Sequence, residues 1–535
     1  MIGSRFLGRT AACALLLGLD ALGSATATAA AGPERRIDVD LSKAGAPINR
    51  FFDHSVGSDF PGTLIRADSQ AQLATAVNEL GFRYIRFHAI FHDVLGTVKV
   101  VNGKTVYDWT KIDQLYDGLL AKKIRPFVEL GFSPEALKTS DNSIFYWKGN
   151  TSHPRLGGWT DLVAAFVTHI RQRYGVEEVR TWYFEVWNEP NLDGFWEKAD
   201  QKAYFELYDA TAKTIKAIDP ALRVGGPSTA GAAWVPEFLD HVSKSGAAVD
   251  FVTTHTYGVD GGFLDEHGKD DNKLSRNPDS VIGDVRRVRE QIAASKYPNL
   301  PLYFTEWSTS YNPRDPVHDS YISAAYILEK LKASQPYLQS MSYWTYSDLF
   351  EEPGPPDTPF HGGFGLMNRE GIRKPAWFAY KYLHALSGLE VPTSDRESWV
   401  SADNGKATAI VWDWVLPDQK ISNRPFYTKV HPAKPAGTVK VHFTGLRAGA
   451  YNLQVRRTGF RANDAHTAYL EMGSPKNLTP AQLQQLMAKA EDRPEVRKAV
   501  KVPASGTWDV NLPIRSNDVL LIELVPNGGP AGERG

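Results

Sequence analysis

Short apolar runs recur near positions 52–56, 84–87, 126–130, 182–187, 223–226, 251–254, 302–305 and 341–344. Most are apolar throughout rather than alternating, the pattern of parallel strands covered on both faces. Amphipathic segments separate them. In Leu156–Tyr174, the residues Trp159, Leu162, Val163, Phe166, Val167 and Ile170 recur at helical spacing and mark one buried face. Segments 204–218, 281–294 and 320–331 read alike. Strand and helix alternating eight times predict an α/β fold, a (β/α)8 TIM barrel over residues 51–388. The competing arrangement is an open doubly wound sheet, but no glycine-rich GxGxxG turn follows an early strand.

Past Gly388 the rhythm changes. Runs at 407–414, 438–443, 450–456 and 518–524 are short or alternating, with turn residues between them. They predict a C-terminal antiparallel β-sandwich domain over 389–527, interrupted by a helical insertion at 480–490. Residues 37–41 also alternate, so the segment 32–50 is expected to pair with the sandwich. Residues 528–535 are rich in glycine and proline and read as a disordered tail.

Composition narrows the class. A chain of 535 residues is too long for one ordinary core, which agrees with two domains. A formal net charge of −1 gives no electrostatic footprint for nucleic acid or an anionic membrane, so neither is expected as a partner. Oligomeric state is not encoded in any feature of the sequence. Residues 1–31 carry Arg5 and Arg9, then an apolar run, then small residues from Ala25 to Ala31. This order predicts a signal peptide and export to periplasm or medium. The one cysteine, Cys13, lies inside that segment, so the mature chain is expected to hold no disulfide, thiol nucleophile or thiolate metal site.

In a barrel of this type the working side chains stand at the C-terminal strand ends. Those ends carry His88, Glu129, Phe132, Asn188, Glu189, His255, Tyr257, Glu306, Trp344 and Asp348. Two of them close the strings Phe184-Glu-Val-Trp-Asn-Glu-Pro190 and Tyr303-Phe-Thr-Glu-Trp307 with a glutamate. Paired carboxyl groups of this kind are the equipment for cleaving a glycosidic bond. Proline at 190 is expected to hold Glu189 extended. Neighbours on an ideal strand face opposite ways, so a bulge is required for Asn188 and Glu189 to meet one ligand. His88 and His92 have the spacing of a ligand pair on a helix, but they follow a strand and no third ligand is indicated. No metal and no cofactor are expected. His153, His169 and His267 read as structural histidines.

The strings as a set resemble glycoside hydrolase family 39, which includes β-xylosidases and α-L-iduronidases. The resemblance runs through Ile85-Arg-Phe-His-Ala-Ile-Phe-His-Asp93, Glu129-Leu-Gly-Phe-Ser-Pro134 and Trp187-Asn-Glu-Pro-Asn-Leu-Asp-Gly-Phe-Trp196. It continues through Thr254-His-Thr-Tyr257, Tyr303-Phe-Thr-Glu-Trp307, Ser342-Tyr-Trp-Thr-Tyr-Ser-Asp-Leu-Phe-Glu-Glu352 and His361-Gly-Gly-Phe-Gly-Leu366. It implies retention of anomeric configuration, with Glu189 as general acid/base and Glu306 as nucleophile. It further implies that Asn188 bonds the sugar 2-hydroxyl and that His255 and Tyr257 position Glu306. His88, Glu351 and Glu352 are expected to hold sugar hydroxyls, and Phe132, Phe195 and Trp344 to supply apolar walls. The expected partner is an oligosaccharide substrate.

An iduronide needs a cation for its carboxylate. None follows His255, while Asp348, Glu351 and Glu352 crowd the last strand end; Arg373 and Lys374 are the cations a loop would have to return. The reading is therefore an exo-acting β-D-xylosidase. Its alternatives are a β-glucosidase, an α-L-arabinopyranosidase, an α-L-iduronidase or a transglycosylase.

Overall fold

A computed structural model describes residues 34–527. The expected signal at 1–31 and tail at 528–535 lie outside the described residues. Eight strands close into a barrel. They are β1 Ser55–Gly57, β2 Tyr84–Phe87, β3 Arg125–Leu130, β4 Tyr183–Val186, β5 Arg223–Thr229, β6 Phe251–Tyr257, β7 Leu302–Ser308 and β8 Ser340–Tyr343. Each pairs in parallel with the next, and β8 closes on β1 through Tyr343 and Val56. The principal helices that follow them in turn are α1 Ala67–Leu80, α2 Thr110–Ala121, α3 Leu156–Tyr174 and α4 Gln201–Ile218, then α5 Val235–Ser245, α6 Ile282–Ala294, α7 Ile322–Ser334 and α8 Pro375–Ala385. This is the architecture the apolar rhythm predicts. Among the described residues no helix is long and apolar enough to cross a membrane.

The barrel floor is aromatic. Phe127, Tyr183, Phe251 and Tyr303 pack together inside it with Tyr84. Phe127 stacks on Tyr183 at 4.7 Å between ring centroids, and His54 stacks on Tyr84 at the same distance. Burial drives the His54 pKa down to about 3, so it serves this plug as a neutral ring.

Two sheets form the second domain. One is three-stranded, joining Glu34–Asp40, Pro435–Thr444 and Trp508–Arg515; the other is six-stranded, from Leu389–Val391 to Val496–Val502. Their inner faces bury Ile37, Val39, Val411, Val441, Phe443 and Ile522. Pairing is antiparallel apart from Glu34–Asp40, which runs parallel to Pro435–Thr444. That strand arrives from the other end of the chain, so no tight hairpin dictates its direction. Alternation gives the larger sheet a second apolar face. Trp399, Ile410, Trp412, Val519 and Leu521 join the barrel's own core, with Trp399 against Phe51 and Phe52.

Candidate active site

The C-terminal end of the barrel opens into a cavity of about 440 Å3. Period-two alternation explains how polar side chains come to stand under it. Tyr84 belongs to the aromatic plug, so Arg86 and His88 follow it inward. Phe127 leads to Glu129 in the same way, Tyr183 to Glu185, Phe251 to His255 and Tyr303 to Thr305. Glu306 breaks the pattern. Thr254 stands opposite Phe304, but His255 stands opposite Glu306, so Thr305 is an extra residue. The bulge brings Glu306 to the cavity beside it.

Past β4 the chain solves the same problem differently. Trp187 has φ 68° and Glu189 φ 46°. These left-handed turns let Asn188 and Glu189 both line the cavity. They also correct the expectation that Pro190 holds Glu189 extended. A non-glycine residue in this region costs about 1–3 kcal/mol. Two hydrogen bonds hold it there: the Glu189 N–H donates to the Ser228 carbonyl at 2.8 Å, and the Trp187 N–H to the Leu130 carbonyl at 2.9 Å.

Arg86 is the centre of the site and is fully buried. Its Nε donates to Glu185 Oε2 at 2.5 Å, Nη1 to Glu306 Oε1 at 2.7 Å, and Nη2 to Asn188 Oδ1 at 2.7 Å. Nη2 also lies 3.0 Å from Glu129 Oε2. Burial opposes the guanidinium charge, but Glu185, Glu129 and Glu306 outweigh it and hold Arg86 above the ordinary arginine value. The Tyr257 hydroxyl donates to Glu306 Oε2 at 2.7 Å, so both oxygens of Glu306 are held. Because Asn188 Oδ1 accepts from Arg86, its Nδ2 is left buried with no partner among the described residues.

Glu189 Oε1 lies 2.8 Å from His255 Nδ1. Ligand-type atoms of Glu189, His255 and Glu306 all fall within 4.8 Å of one another, which puts the two glutamates on one small volume. Burial pushes Glu189 up to about 7; His88 and Arg86 pull it back only in part, and Glu129 adds to the rise. Burial also takes His255 down to about 4. His88 lies between Glu129 (Nδ1, 2.7 Å) and Glu352 (Nε2, 3.2 Å). Burial disfavours its charge, but these two acids outweigh it and hold the ring well above the ordinary histidine value. Glu352 is raised to about 7 by burial, against the pull of His88 and with the charges of Glu306 and Glu189 adding. More carboxyl groups than cations share this space, and two of them respond by keeping their protons near neutral pH.

Of the residues picked from sequence, His88, Asn188, Glu189, Phe195, Tyr257, Glu306, Trp344 and Glu352 line the cavity. His255 stands just beneath and bonds Glu189; its Nδ1 is 3.7 Å from Glu306, so it is Tyr257 that positions that residue. Glu351 does not face the ligand space. Its carboxylate pairs with Arg66 at 3.1 Å, and its N–H donates to Asp59. Of this adjacent pair, Glu352 alone lines the cavity. Phe132 is likewise no wall: it is buried behind His88 and packs on Trp187 and Trp147. Lys374 is fully buried between Asp319 (2.7 Å) and Asp348 (2.6 Å), and Arg373 donates to Glu79 at 3.0 Å. Neither reaches the cavity.

Arg86 and Glu185 sit within their strands and not past the ends, so strand-end position does not mark them. A lone arginine in the apolar run Tyr84-Ile-Arg-Phe87 and a lone glutamate in Phe184-Glu-Val186 are the signals that mark them, since a charge inside a barrel needs a partner. The walls Phe145, Leu192, Tyr311 and Phe364 come from loops and carried no such signal. Chemically, the cavity offers one carboxyl that keeps its proton near neutral pH, facing a second carboxyl gripped by a cation and a phenol.

Comparison with known proteins agrees with this chemistry. The sequence matches the model for "Glycosyl hydrolases family 39" over residues 35–509. It is 35% identical over 478 residues to a β-xylosidase of Geobacillus stearothermophilus, covering 88% of this chain and 91% of that one. A monomeric β-xylosidase from Caulobacter crescentus CB15 superposes with a TM-score of 0.91 at 70% identity, covering 92% of this chain and 100% of that one. The GH39 enzyme from Xanthomonas axonopodis pv. citri gives a TM-score of 0.92 at 66% identity, covering 95% and 100%.

Proposed function

The chain belongs to glycosyl hydrolases family 39, and from that premise we propose that it is a retaining exo-β-D-xylosidase releasing xylose from the non-reducing end of xylo-oligosaccharides. The observation that carries the reading is the approach of Glu189 and Glu306 to within 4.8 Å through one oxygen each. Retaining enzymes hold their two carboxyl groups about 5–5.5 Å apart, too close to admit a water between them.

The steps follow from the contacts. A glycosidic oxygen lies beside Glu189 and the anomeric carbon above Glu306. Glu306 attacks that carbon as the bond to the leaving oxygen breaks, and the proton of Glu189 goes to that oxygen. The sugar is now an ester of Glu306. Water replaces the departed group; Glu189 takes its proton as the water oxygen attacks the same carbon and Glu306 leaves. Two inversions give net retention. Arg86 and Tyr257 fix the attacking carboxylate, and the free Nδ2 of Asn188 is placed to donate to the sugar 2-hydroxyl. His88 and Glu352 receive hydroxyls further along the ring, and Trp344 and Phe364 close the wall.

The sugar is chosen by charge. Among the described residues no lysine or arginine lines the cavity and His88 is already taken by Glu129 and Glu352, so a uronic carboxylate finds no free cation, whereas neutral hydroxyls find donors and acceptors. A panel of nitrophenyl glycosides tests this: the β-xyloside is expected to lead, and a clear preference for α-iduronide overturns the choice. Azide tests the roles. Glu306→Ala with azide is expected to give a glycosyl azide of inverted configuration, and Glu189→Ala one of retained configuration; the swapped result reverses the assignment. Export belongs to the same proposal and rests on the charged, apolar and small-residue order of residues 1–31. Activity confined to the cytoplasmic fraction of an expressing host contradicts it.

A further inference from the structure

Behind the cavity a line of hydrogen bonds runs from Glu185 to Glu189. The Thr305 hydroxyl donates to Glu185 Oε1 at 2.8 Å. Thr305 Oγ1 is also 3.1 Å from His255 Nε2, and His255 Nδ1 is 2.8 Å from Glu189 Oε1. Glu185, Thr305 and His255 are at most 1% exposed, and Glu189 is 8% exposed.

The direction of each bond is fixed by what its atoms can do. Glu185 accepts from Arg86 through its other oxygen, and a carboxylate has no proton to give. Thr305 has one hydroxyl hydrogen, and Glu185 takes it. The bond from His255 to Thr305 must therefore be donated by Nε2–H. Ser228 Oγ, which accepts from Arg86, lies at 3.5 Å, too far for its own hydrogen to set the tautomer against the 3.1 Å contact to Thr305. A neutral imidazole carrying its hydrogen on Nε2 presents a bare lone pair at Nδ1. The contact at 2.8 Å then needs its hydrogen from Glu189.

We propose that Glu185 and Thr305 act as positioning residues that lock His255 in its Nε2–H tautomer, so that Nδ1 holds the acid proton of Glu189. The consequence applies to both halves of the reaction. Before cleavage the neutral carboxyl is the form that bonds. After the proton has gone to the leaving oxygen, the carboxylate of Glu189 faces a lone pair instead of a donor, which favours its taking a proton from water. Glu189 and His255 are also faced by Arg86 and His88 from β2 and its end, Glu129 from β3, Tyr257 from β6, Glu306 from β7 and Glu352 beyond β8. The substitution that tests the lock leaves all of these in place.

The inference rests on the acid/base reading of Glu189 for its kinetic consequence only. A neutron structure of the resting full-length protein is expected to show deuterium on His255 Nε2 and on Glu189, with Nδ1 bare; deuterium on Nδ1 overturns the lock whatever the protein's substrate. Thr305→Val removes the acceptor and keeps the shape. It is expected to lower the upper limb of the kcat/KM–pH profile by about one unit for an alkyl xyloside, the scale of one hydrogen bond's preference between protonation states. Thr305→Ser is expected to restore the parent profile. A dinitrophenyl xyloside, whose leaving group needs no proton, is expected to react at the parent rate. A Thr305→Val profile that superimposes on the parent overturns the proposal. If Glu306→Ala keeps full turnover, the enzyme reading fails while the neutron result stands independently.

Discussion

At the residue scale the account turns on protons. With the pKa of Glu189 at about 7, the acid form predominates below neutrality and falls about tenfold per pH unit above it. For substrates with poor leaving groups, kcat/KM is therefore expected to decline above about pH 7, while dinitrophenyl substrates escape that limb. Stopped assays across pH with both leaving groups check the split; a common profile contradicts it. Asn188→Ala is expected to lower kcat more than it raises KM, because a contact to the 2-hydroxyl tightens as the ring flattens. Initial-rate kinetics on the β-xyloside read this directly. The two glutamates were legible because each ends an apolar strand in a fold whose chemistry sits at strand ends. What was hidden was local geometry: the left-handed φ of Glu189 and the inward choice of Glu352 over Glu351 depend on loop paths that no periodicity records. Arg86 was legible in principle, as a charge with no business in an apolar strand unless acids surround it.

At the scale of elements, two devices hold the cavity walls. The segment carrying Phe364 is tied down by Lys374, whose Nζ bonds Asp319, Asp348 and the Gly363 carbonyl with no exposure to solvent. The Gly362 and Gly365 N–H groups donate to the same two aspartates. Lys374→Met leaves two buried carboxyl groups facing one another, and is expected to cost about 3–5 kcal/mol. Urea unfolding measures it, and a loss under about 1 kcal/mol, the range of an exposed ion pair, contradicts the buried clamp. The second device is Gly57 on β1. A Cβ there stands 2.2 Å from Trp344 Cε3, so Gly57→Ala must displace that ring. It is expected to reduce kcat/KM on the β-xyloside at least tenfold with an overpacking cost of about 1–3 kcal/mol; parent kinetics contradict the wall assigned to Trp344. Strand positions emerged from the sequence because burial on both faces writes a continuous apolar run. The clamp did not: Asp348 reads as a strand-end acid of the site and Lys374 as a cation for a loop to return, and nothing in their spacing joins either to Asp319.

For the whole molecule, the chain enters the sandwich, builds the barrel and returns to finish the sandwich. Glu34–Asp40 supplies Ile37 and Val39 to the sandwich core, and the larger sheet lends its outer face to the barrel through Trp399 and Trp412. Deleting residues 34–40 removes that strand, and with burial contributing about 1.5–3 kcal/mol for each such side chain, the melting temperature is expected to drop by several degrees. An unchanged melting curve contradicts the structural part given to the first strand. The central claim is chemical: Glu306 carries the sugar through a covalent ester. Incubating the enzyme with an activated 2-deoxy-2-fluoro-β-xyloside and weighing the intact protein tests it most directly. The account predicts one fluoroxylosyl unit per chain, mapped by peptide digestion to Glu306; no adduct, or an adduct on Glu189, contradicts it.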